Sequence, residues 1–250
     1  MSQEPHFLIV GQMKCGTTSL YGSLCNSAAF LPLEKKELHF FSVDKKYEKG
    51  ISAYLDEFPT CGMGQITGEA SPSYLGASQS APRIARHLPH AKLIVCLRHP
   101  GRRAVSHYHH EVRYGRESRS FGEAFDVSGD VWSNGYITQS IYAPSIAWYL
   151  NFFPPQQLCV FVLESYIKSP QQTMSTVFSF LGLDVPQAME AHKLSSAAPD
   201  AYDESHFEVI ERVARHCQES QDALPSMIRR NNIAVAGNLS DMSDSNKTAD

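Results

Sequence analysis

The sequence predicts an α/β fold, a single three-layer domain with a central parallel sheet flanked by helices. Two observations indicate it: four short apolar runs alternate with helical patterns, and a glycine-containing turn joins the first run to a helix. The chain has 250 residues, 42% of them hydrophobic, which is enough to bury a sizeable core without metals or disulfides.

The predicted elements follow one another along the chain. The four strands are expected at residues 6–10, 65–68, 92–97 and 158–163. Helices are expected to begin near Gly16, Ser80 and Pro100, and a further helix runs from the Ser169–Pro170 start signal to Gly182. Residues 203–218 have an amphipathic pattern with an acidic start. We assign residues 1–237 to the domain and expect the polar residues 238–250 to form a disordered tail.

Charge is distributed unevenly along the chain. Residues 83–119 contain nine lysines and arginines, two acidic residues and six histidines, whereas residues 184–222 contain nine acidic residues and three basic ones. The formal net charge of −4 argues against binding to nucleic acid. A concentrated basic segment instead favours a small ligand that carries more than one anionic group, although a solvated helix face would give the same composition.

The sequence shows no clear pattern for a membrane span, a secretory leader or a cysteine-based metal site. The longest apolar runs fall far short of the ~20 residues that a membrane span requires. The first residues lack the basic and apolar regions of a secretory leader, so we expect a cytoplasmic protein. The six cysteines are widely spaced without a CxxC pair, which favours buried reduced thiols over a metal or disulfide framework.

The most informative segment is the loop between the first strand and the first helix. Gly11 and Gly16 have the spacing of a P-loop, but Thr17 stands where that motif has its lysine, and the cation is Lys14 inside the loop. Backbone N–H groups of such a turn, with the positive end of the helix, form an anion cradle. Lys14 could then meet negative charge that develops on a bridging oxygen. The third strand runs into Arg98 rather than into a magnesium-binding acid.

The loop resembles the 5′-phosphosulfate loop of sulfotransferases that use 3′-phosphoadenosine 5′-phosphosulfate (PAPS), especially the heparan-sulfate-type and bacterial branch. Further segments resemble the same family in the same order over residues 6–183: residues 36–41, 49–59, 68–74 and 97–108, then Trp148, Phe153, Glu164 and residues 180–183.

The resemblance implies PAPS as the donor, PAP as the released nucleotide, and no required metal. It places the loop residues Lys14, Cys15, Gly16, Thr17, Thr18 and Ser19 on the 5′ side of the nucleotide, and Arg98 and Ser106 on its 3′-phosphate. Arg102 and Arg103 precede Ser106 by four and three residues, so they share its side of the helix and could help to clamp a phosphate.

The acceptor hydroxyl must lose its proton, and the resemblance implies Glu37 as the general base. Two phenylalanines close by could partly desolvate its carboxylate and so strengthen it as a base. His39 and His110 are the rival candidates, since histidine titrates near neutrality and His110 lies one helical turn beyond Ser106.

The acceptor is expected over Glu37 and the histidine-bearing helix, with Glu69 and Tyr74 as substrate-binding residues. Heparan-type relatives carry lysine where this chain has Ala70, and the C-terminal third is acidic, so a polyanionic glycan is not expected. A small hydroxyl compound or a hydroxyacyl chain tethered to a carrier protein fits better. The alternatives are a P-loop nucleotide kinase or NTPase and a non-catalytic nucleotide-binding module.

Overall fold

The computed structural model describes residues 3–126, 135–189 and 202–243. Its strands are β1 (Phe7–Gly11), β2 (Phe30–Leu31), β3 (Ile66–Ala70), β4 (Lys92–Leu97), β5 (Leu158–Val162) and β6 (Ala234–Ala236). Its helices are α1 (Thr17–Leu24), α2 (Asp44–Tyr47), α3 (Ile51–Leu55), α4 (Ser80–His87), α5 (Pro100–Arg113), α6 (Phe121–Ala124), α7 (Tyr142–Leu150), α8 (Leu163–Lys168), α9 (Pro170–Leu181), α10 (Glu204–His216) and α11 (Gln218–Asn231). Short 3₁₀ turns lie at Thr138–Ser140, Pro155–Gln157 and Leu239–Ser243.

The six strands form one parallel sheet in the order β2-β3-β1-β4-β5-β6. Consecutive residues of a strand point to opposite faces, and every residue of β1 and β5 is buried, so helices cover both faces of the sheet. This confirms the predicted fold class. The carboxyl ends of β1 and β4 lie side by side, which places the loop after Gly11 next to Arg98.

The sequence located the central strands and missed the edges. Strands β1, β3, β4 and β5 correspond to the four predicted runs, although β5 ends at Val162 because Leu163 already starts α8. Strands β2 and β6 contain only two and three residues, too few for a recognisable pattern.

The predicted helix boundaries hold at the sites that have start and stop signals. Helix α5 begins at Pro100, and α9 begins at Pro170 and ends before Gly182, which adopts the left-handed conformation with a φ of 80°. Helix α10 starts one residue after Asp203, whose carboxylate caps it by accepting from the His206 amide at 3.1 Å.

A second, smaller core lies between α5, α6 and α10. It contains the side chains of Val105, Tyr108, Phe125, Ile210 and Val213. The two long helices approach closely at Gly101, where a Cβ would lie 2.1 Å from the carbonyl oxygen of Ile210. Helix α5, which carries Ser106 and His110, is therefore supported by its packing against α10.

The prediction of a disordered tail is wrong for residues 238–243, because this segment is anchored to α8. Lys168 pairs with Asp241 at 2.9 Å, the hydroxyl of Ser165 also bonds Asp241, and Met242 is buried. The polar composition of the segment concealed its two apolar anchors, Met242 and the partly buried Leu239. The rest of the predicted tail, residues 244–250, lies outside the described residues.

All six cysteines are free, and five of them are buried, with Cys25 exposed. In the part of the chain that the structure describes, no helix is both long and apolar enough to span a bilayer.

Candidate functional site

The loop after β1 forms a turn suited to bind an anion. Lys14 and Gly16 both adopt the left-handed conformation, with φ of 67° and 80°, and Gly16 caps α1. Alternating conformations of this kind turn successive N–H groups toward one point, and the first N–H groups of a helix have no acceptor within it. Gly16 is also confined from outside, because a Cβ there would lie 2.5 Å from Cδ1 of Leu163.

Two arginines hold the loop through its carbonyl oxygens. Arg98 donates from Nη1 to the carbonyl of Lys14 at 3.4 Å, and Arg103 donates to that of Met13 at 3.4 Å. Arg103 is completely buried and also donates to the hydroxyl of Ser140 at 2.7 Å and to the carbonyl of Tyr136. The expected phosphate clamp is therefore wrong for Arg103, whose guanidinium is occupied inside the protein.

Positive charge is concentrated at Lys14. Burial, together with the charges of Arg98 and Arg113, lowers the pKa of Lys14 to about 8. Cations crowd together in this way where an anion compensates them. Among the described residues, Oε1 of the buried Gln12 in the same loop meets no hydrogen-bond donor.

The other predicted nucleotide-binding residues surround this loop. Thr18 is exposed at the start of α1, whereas Thr17 and Ser19 are buried. Cys15 is fully buried with its Sγ 3.7 Å from the hydroxyl of Tyr142, and burial raises the pKa of its thiol to about 12. Cys15 can thus contribute its backbone but not a thiolate. Ser106 is nearly buried, two turns into α5.

Glu37 and His39 form a hydrogen-bonded pair. Nε2 of His39 lies 3.2 Å from one carboxylate oxygen of Glu37, and the Lys36 ammonium donates to the other. On its other side, Nδ1 of His39 lies 2.7 Å from the hydroxyl of Ser73. Partial burial raises the pKa of Glu37, but the hydrogen bonds from His39 and Lys36 outweigh it and lower that pKa to about 2. The sequence anticipated the desolvation, but the expectation that it would strengthen Glu37 as a base is wrong in this conformation, since the hydrogen bond from His39 was not anticipated.

The prediction that Glu69 and Tyr74 bind the acceptor does not fit the structure. Both side chains have no exposed surface, and the hydroxyl of Tyr74 donates to Glu69 at 2.6 Å. A side chain without exposed area cannot contact an acceptor in this conformation. These residues lie beneath the segment that carries Glu37.

His110 lies close enough to Lys14 and Glu37 for their charges to act on its ring. Burial and the charge of Lys14 lower the pKa of His110, while Glu111 and Glu37 act in the opposite direction. Its ring packs on the exposed Tyr114, with the two ring centroids 4.7 Å apart. The structure therefore brings together Lys14, Glu37, His39 and His110. Across the described ranges, no group of three or more histidine, cysteine or acidic side chains is arranged to hold a metal ion.

His107, which neighbours this site, makes stability depend on pH. Burial and the charge of Arg103 lower the pKa of His107 to about 2, from about 6.5 in an unfolded chain. Protons therefore bind the unfolded state preferentially below pH 6.5, so this contribution to stability is lost as the pH falls from 6.5 toward 2.

We expect His107→Gln to reduce the slope of the unfolding free energy between pH 7 and pH 5, measured by urea denaturation. His90→Gln, a change at an exposed histidine, serves as the control and should leave the slope unchanged. An unaltered slope in His107→Gln would show that this ring is not held neutral.

Arg113, which adds charge at Lys14, was not predicted, whereas Arg103 and Glu69 were predicted in other roles. Arg103 organises the loop, and the buried carboxylate of Glu69 supports the Glu37 segment. Their partners come from distant parts of the chain, so spacing carries no signal for them.

Comparison with known proteins gives one family. The family model described as "Sulfotransferase domain" matches residues 4–219. Human heparan sulfate glucosamine 3-O-sulfotransferase 5 is 31% identical over 191 residues, which are 73% of this chain and 55% of the relative. This chain spans about half the length of the curated relatives that it matches most strongly.

Two solved structures share the fold. A sulfotransferase from Alicyclobacillus acidocaldarius is 26% identical with a TM-score of 0.74, covering 90% of this chain and 96% of that one. The sulfotransferase domain of the Synechococcus PCC 7002 olefin synthase is 17% identical with a TM-score of 0.53, covering 86% and 87%. The second similarity concerns the fold alone.

Proposed function

The chain belongs to the sulfotransferase domain family, as its loop and ordered motifs indicated, and on that basis we propose that it transfers a sulfuryl group from PAPS to an acceptor hydroxyl. The observation that carries this proposal is the loop with Lys14, whose ammonium is partly buried and crowded by Arg98 and Arg113. A doubly phosphorylated nucleotide supplies the anionic charge that this arrangement lacks.

The residues of the site fit PAPS. The turn from Lys14 to Gly16 and the N-terminus of α1 would bind the 5′-phosphosulfate. Arg98, which directly follows β4, and Ser106, which lies within α5, are the proposed contacts of the 3′-phosphate. When bound, PAPS supplies an activated sulfuryl group, whose S–O bond to the 5′-phosphate breaks as the bond to the acceptor forms.

In the proposed mechanism, Lys14 acts on the leaving group and Glu37 acts on the acceptor. Lys14 stabilises the negative charge that develops on the 5′-phosphate oxygen as PAP departs. Glu37 accepts the proton of the acceptor hydroxyl, while His39 and Lys36 hold its carboxylate in place. His110 is a secondary candidate for this proton transfer.

The acceptor that suits this site is a hydroxyl compound with an apolar portion, either a small molecule or a hydroxyacyl chain on a carrier protein. The exposed ring of Tyr114, which packs on His110 at the end of α5, provides an apolar rim. A polyanionic glycan is not expected as the acceptor, because Ala70 replaces the lysine of heparan-type relatives and the C-terminal third is acidic.

The proposal is tested by following ³⁵S from labelled PAPS to 2-naphthol and to a 3-hydroxyacyl thioester, with and without EDTA. We expect a labelled sulfate ester and PAP in both conditions, since no metal takes part. Formation of no labelled product beyond that of heat-treated protein would contradict the proposal, and EDTA-sensitive phosphoryl transfer from ATP would identify the chain as a kinase.

A further inference from the structure

The end of β3 carries a completely buried carboxylate. Glu69 has no exposed surface, and burial raises its pKa, although the hydrogen bonds that it accepts act in the opposite direction. Its donors are the hydroxyl of Tyr54 at 2.9 Å, the hydroxyl of Tyr74 at 2.6 Å, the amide of Leu38 at 3.1 Å and the hydroxyl of Ser71. A buried carboxylate is costly unless its oxygens are satisfied in this way.

Two of these donors lead directly to the segment that carries Glu37. The amide of Leu38 binds Glu69 itself, and the amide of His39 donates to the hydroxyl of Ser71 at 2.8 Å. A third bond, from the amide of Ala70 to the carbonyl of Lys36 at 2.8 Å, continues the same attachment. Residues 36–39 are thus held by three consecutive residues at the end of β3.

The attachment fixes an unusual backbone turn. His39 has a φ of 54°, a left-handed conformation that is unfavourable for a residue with a side chain. Such a turn persists when surrounding contacts determine it. Here the turn brings Nε2 of His39 to the carboxylate of Glu37, and it places Nδ1 of His39 against Ser73.

We propose that Glu69, acting through Ser71 and the Leu38 amide, is a positioning residue that fixes the His39 turn and so aims the Glu37 carboxylate at the acceptor. This inference rests on the proposed function, in which Glu37 is the base. Glu69 touches neither donor nor acceptor, and its effect passes through the backbone of residues 38 and 39.

The chain offers a matched pair of variants. Ser71→Ala removes one hydroxyl from Glu69 together with the acceptor of the His39 amide. Tyr54→Phe also removes one hydroxyl from Glu69, but Tyr54 belongs to α3 and its ring stacks on Phe40, with centroids 4.7 Å apart. Each variant removes one hydrogen bond to the buried carboxylate of Glu69. Only Ser71→Ala also removes a hydrogen bond to the backbone of the His39 turn.

The experiment compares these variants by urea unfolding, by amide hydrogen exchange at residues 38 and 39, and by steady-state kinetics with PAPS and 2-naphthol. We expect both to lose stability, while only Ser71→Ala accelerates exchange at His39. Ser71→Ala should lower kcat about 10–100-fold with KM for PAPS within about twofold, because a displaced catalytic group costs rate rather than nucleotide binding. Tyr54→Phe should keep kcat within about twofold.

A pH profile separates positioning from general destabilisation. Loosening the pairing of Glu37 with His39 raises the pKa of Glu37 toward its ordinary value, so the acidic limb of kcat/KM should move to higher pH in Ser71→Ala alone. If Ser71→Ala exchanges faster at His39 but keeps the wild-type kcat and profile, the positioning role is wrong while the sulfotransferase proposal stands. If the unmodified chain forms no sulfate ester, the proposed function itself fails.

Discussion

Lys14→Ala is expected to lower kcat by about 10²–10³-fold, the usual cost of removing one preorganised electrostatic contact to developing charge. PAP affinity should fall much less, because the backbone of the loop and Arg98 remain in place. Rapid-quench turnover with labelled PAPS and calorimetry with PAP measure the two effects separately. An equal loss in turnover and in affinity would mean that Lys14 binds the nucleotide uniformly and has no special role when the leaving group departs.

The lowered pKa of Lys14 predicts a specific pH dependence of the reaction. Burial and neighbouring cations lower this pKa to about 8, so the ammonium is present below pH 8 and is lost above it. We therefore expect kcat/KM for PAPS to fall as the pH rises through about 8. Lys14→Arg, whose guanidinium does not titrate in this range, serves as the matched control and should lack this basic limb even where its turnover is reduced. A basic limb that persists in Lys14→Arg would assign it to another group.

Glu37→Gln is expected to lower kcat by about 10²–10⁴-fold, because this is the range that general-base catalysis typically contributes. The amide keeps the size of the side chain and cannot accept the acceptor's proton, so KM for PAPS should stay close to that of the unmodified chain. The measurement is steady-state turnover of PAPS and 2-naphthol over a range of pH.

The same profile distinguishes Glu37 from the histidines. Hydrogen bonds from His39 and Lys36 lower the pKa of Glu37 to about 2, so its carboxylate remains available as a base well below pH 5. A Glu37 base thus predicts a kcat/KM that stays level from pH 7 to pH 5. A limb near neutrality, together with a fully active Glu37→Gln, would identify a histidine as the base instead.

The predictable parts of this protein are those set by local sequence. The turn between β1 and α1 was predictable because glycines flank it and a strand and helix pattern adjoin it, and α5 was predictable from Pro100. The edge strand β2 could not be predicted because a strand of two residues shows no alternation of apolar and polar positions.

Side-chain partnerships across the chain were not predictable. Glu69 was predicted to bind the acceptor, yet its carboxylate points inward and accepts from the amide of Leu38 and from the hydroxyls of residues 54, 71 and 74. Arg103 shares a helix face with Ser106 as expected, but that face is directed toward the carbonyls of Met13 and Tyr136. Spacing places residues on a face, and only the tertiary fold decides what that face meets.

The most direct test of the nucleotide site is a thermal-shift comparison of PAP, AMP, ADP and ATP, each with and without magnesium. A ligand present at about 100 times its dissociation constant should raise Tm by about 5–10 °C for a chain of this size. PAP is expected to give this shift unchanged by magnesium or EDTA, and AMP, which lacks the 3′-phosphate, a much smaller one. Stabilisation by magnesium–ATP with no response to PAP would contradict the account.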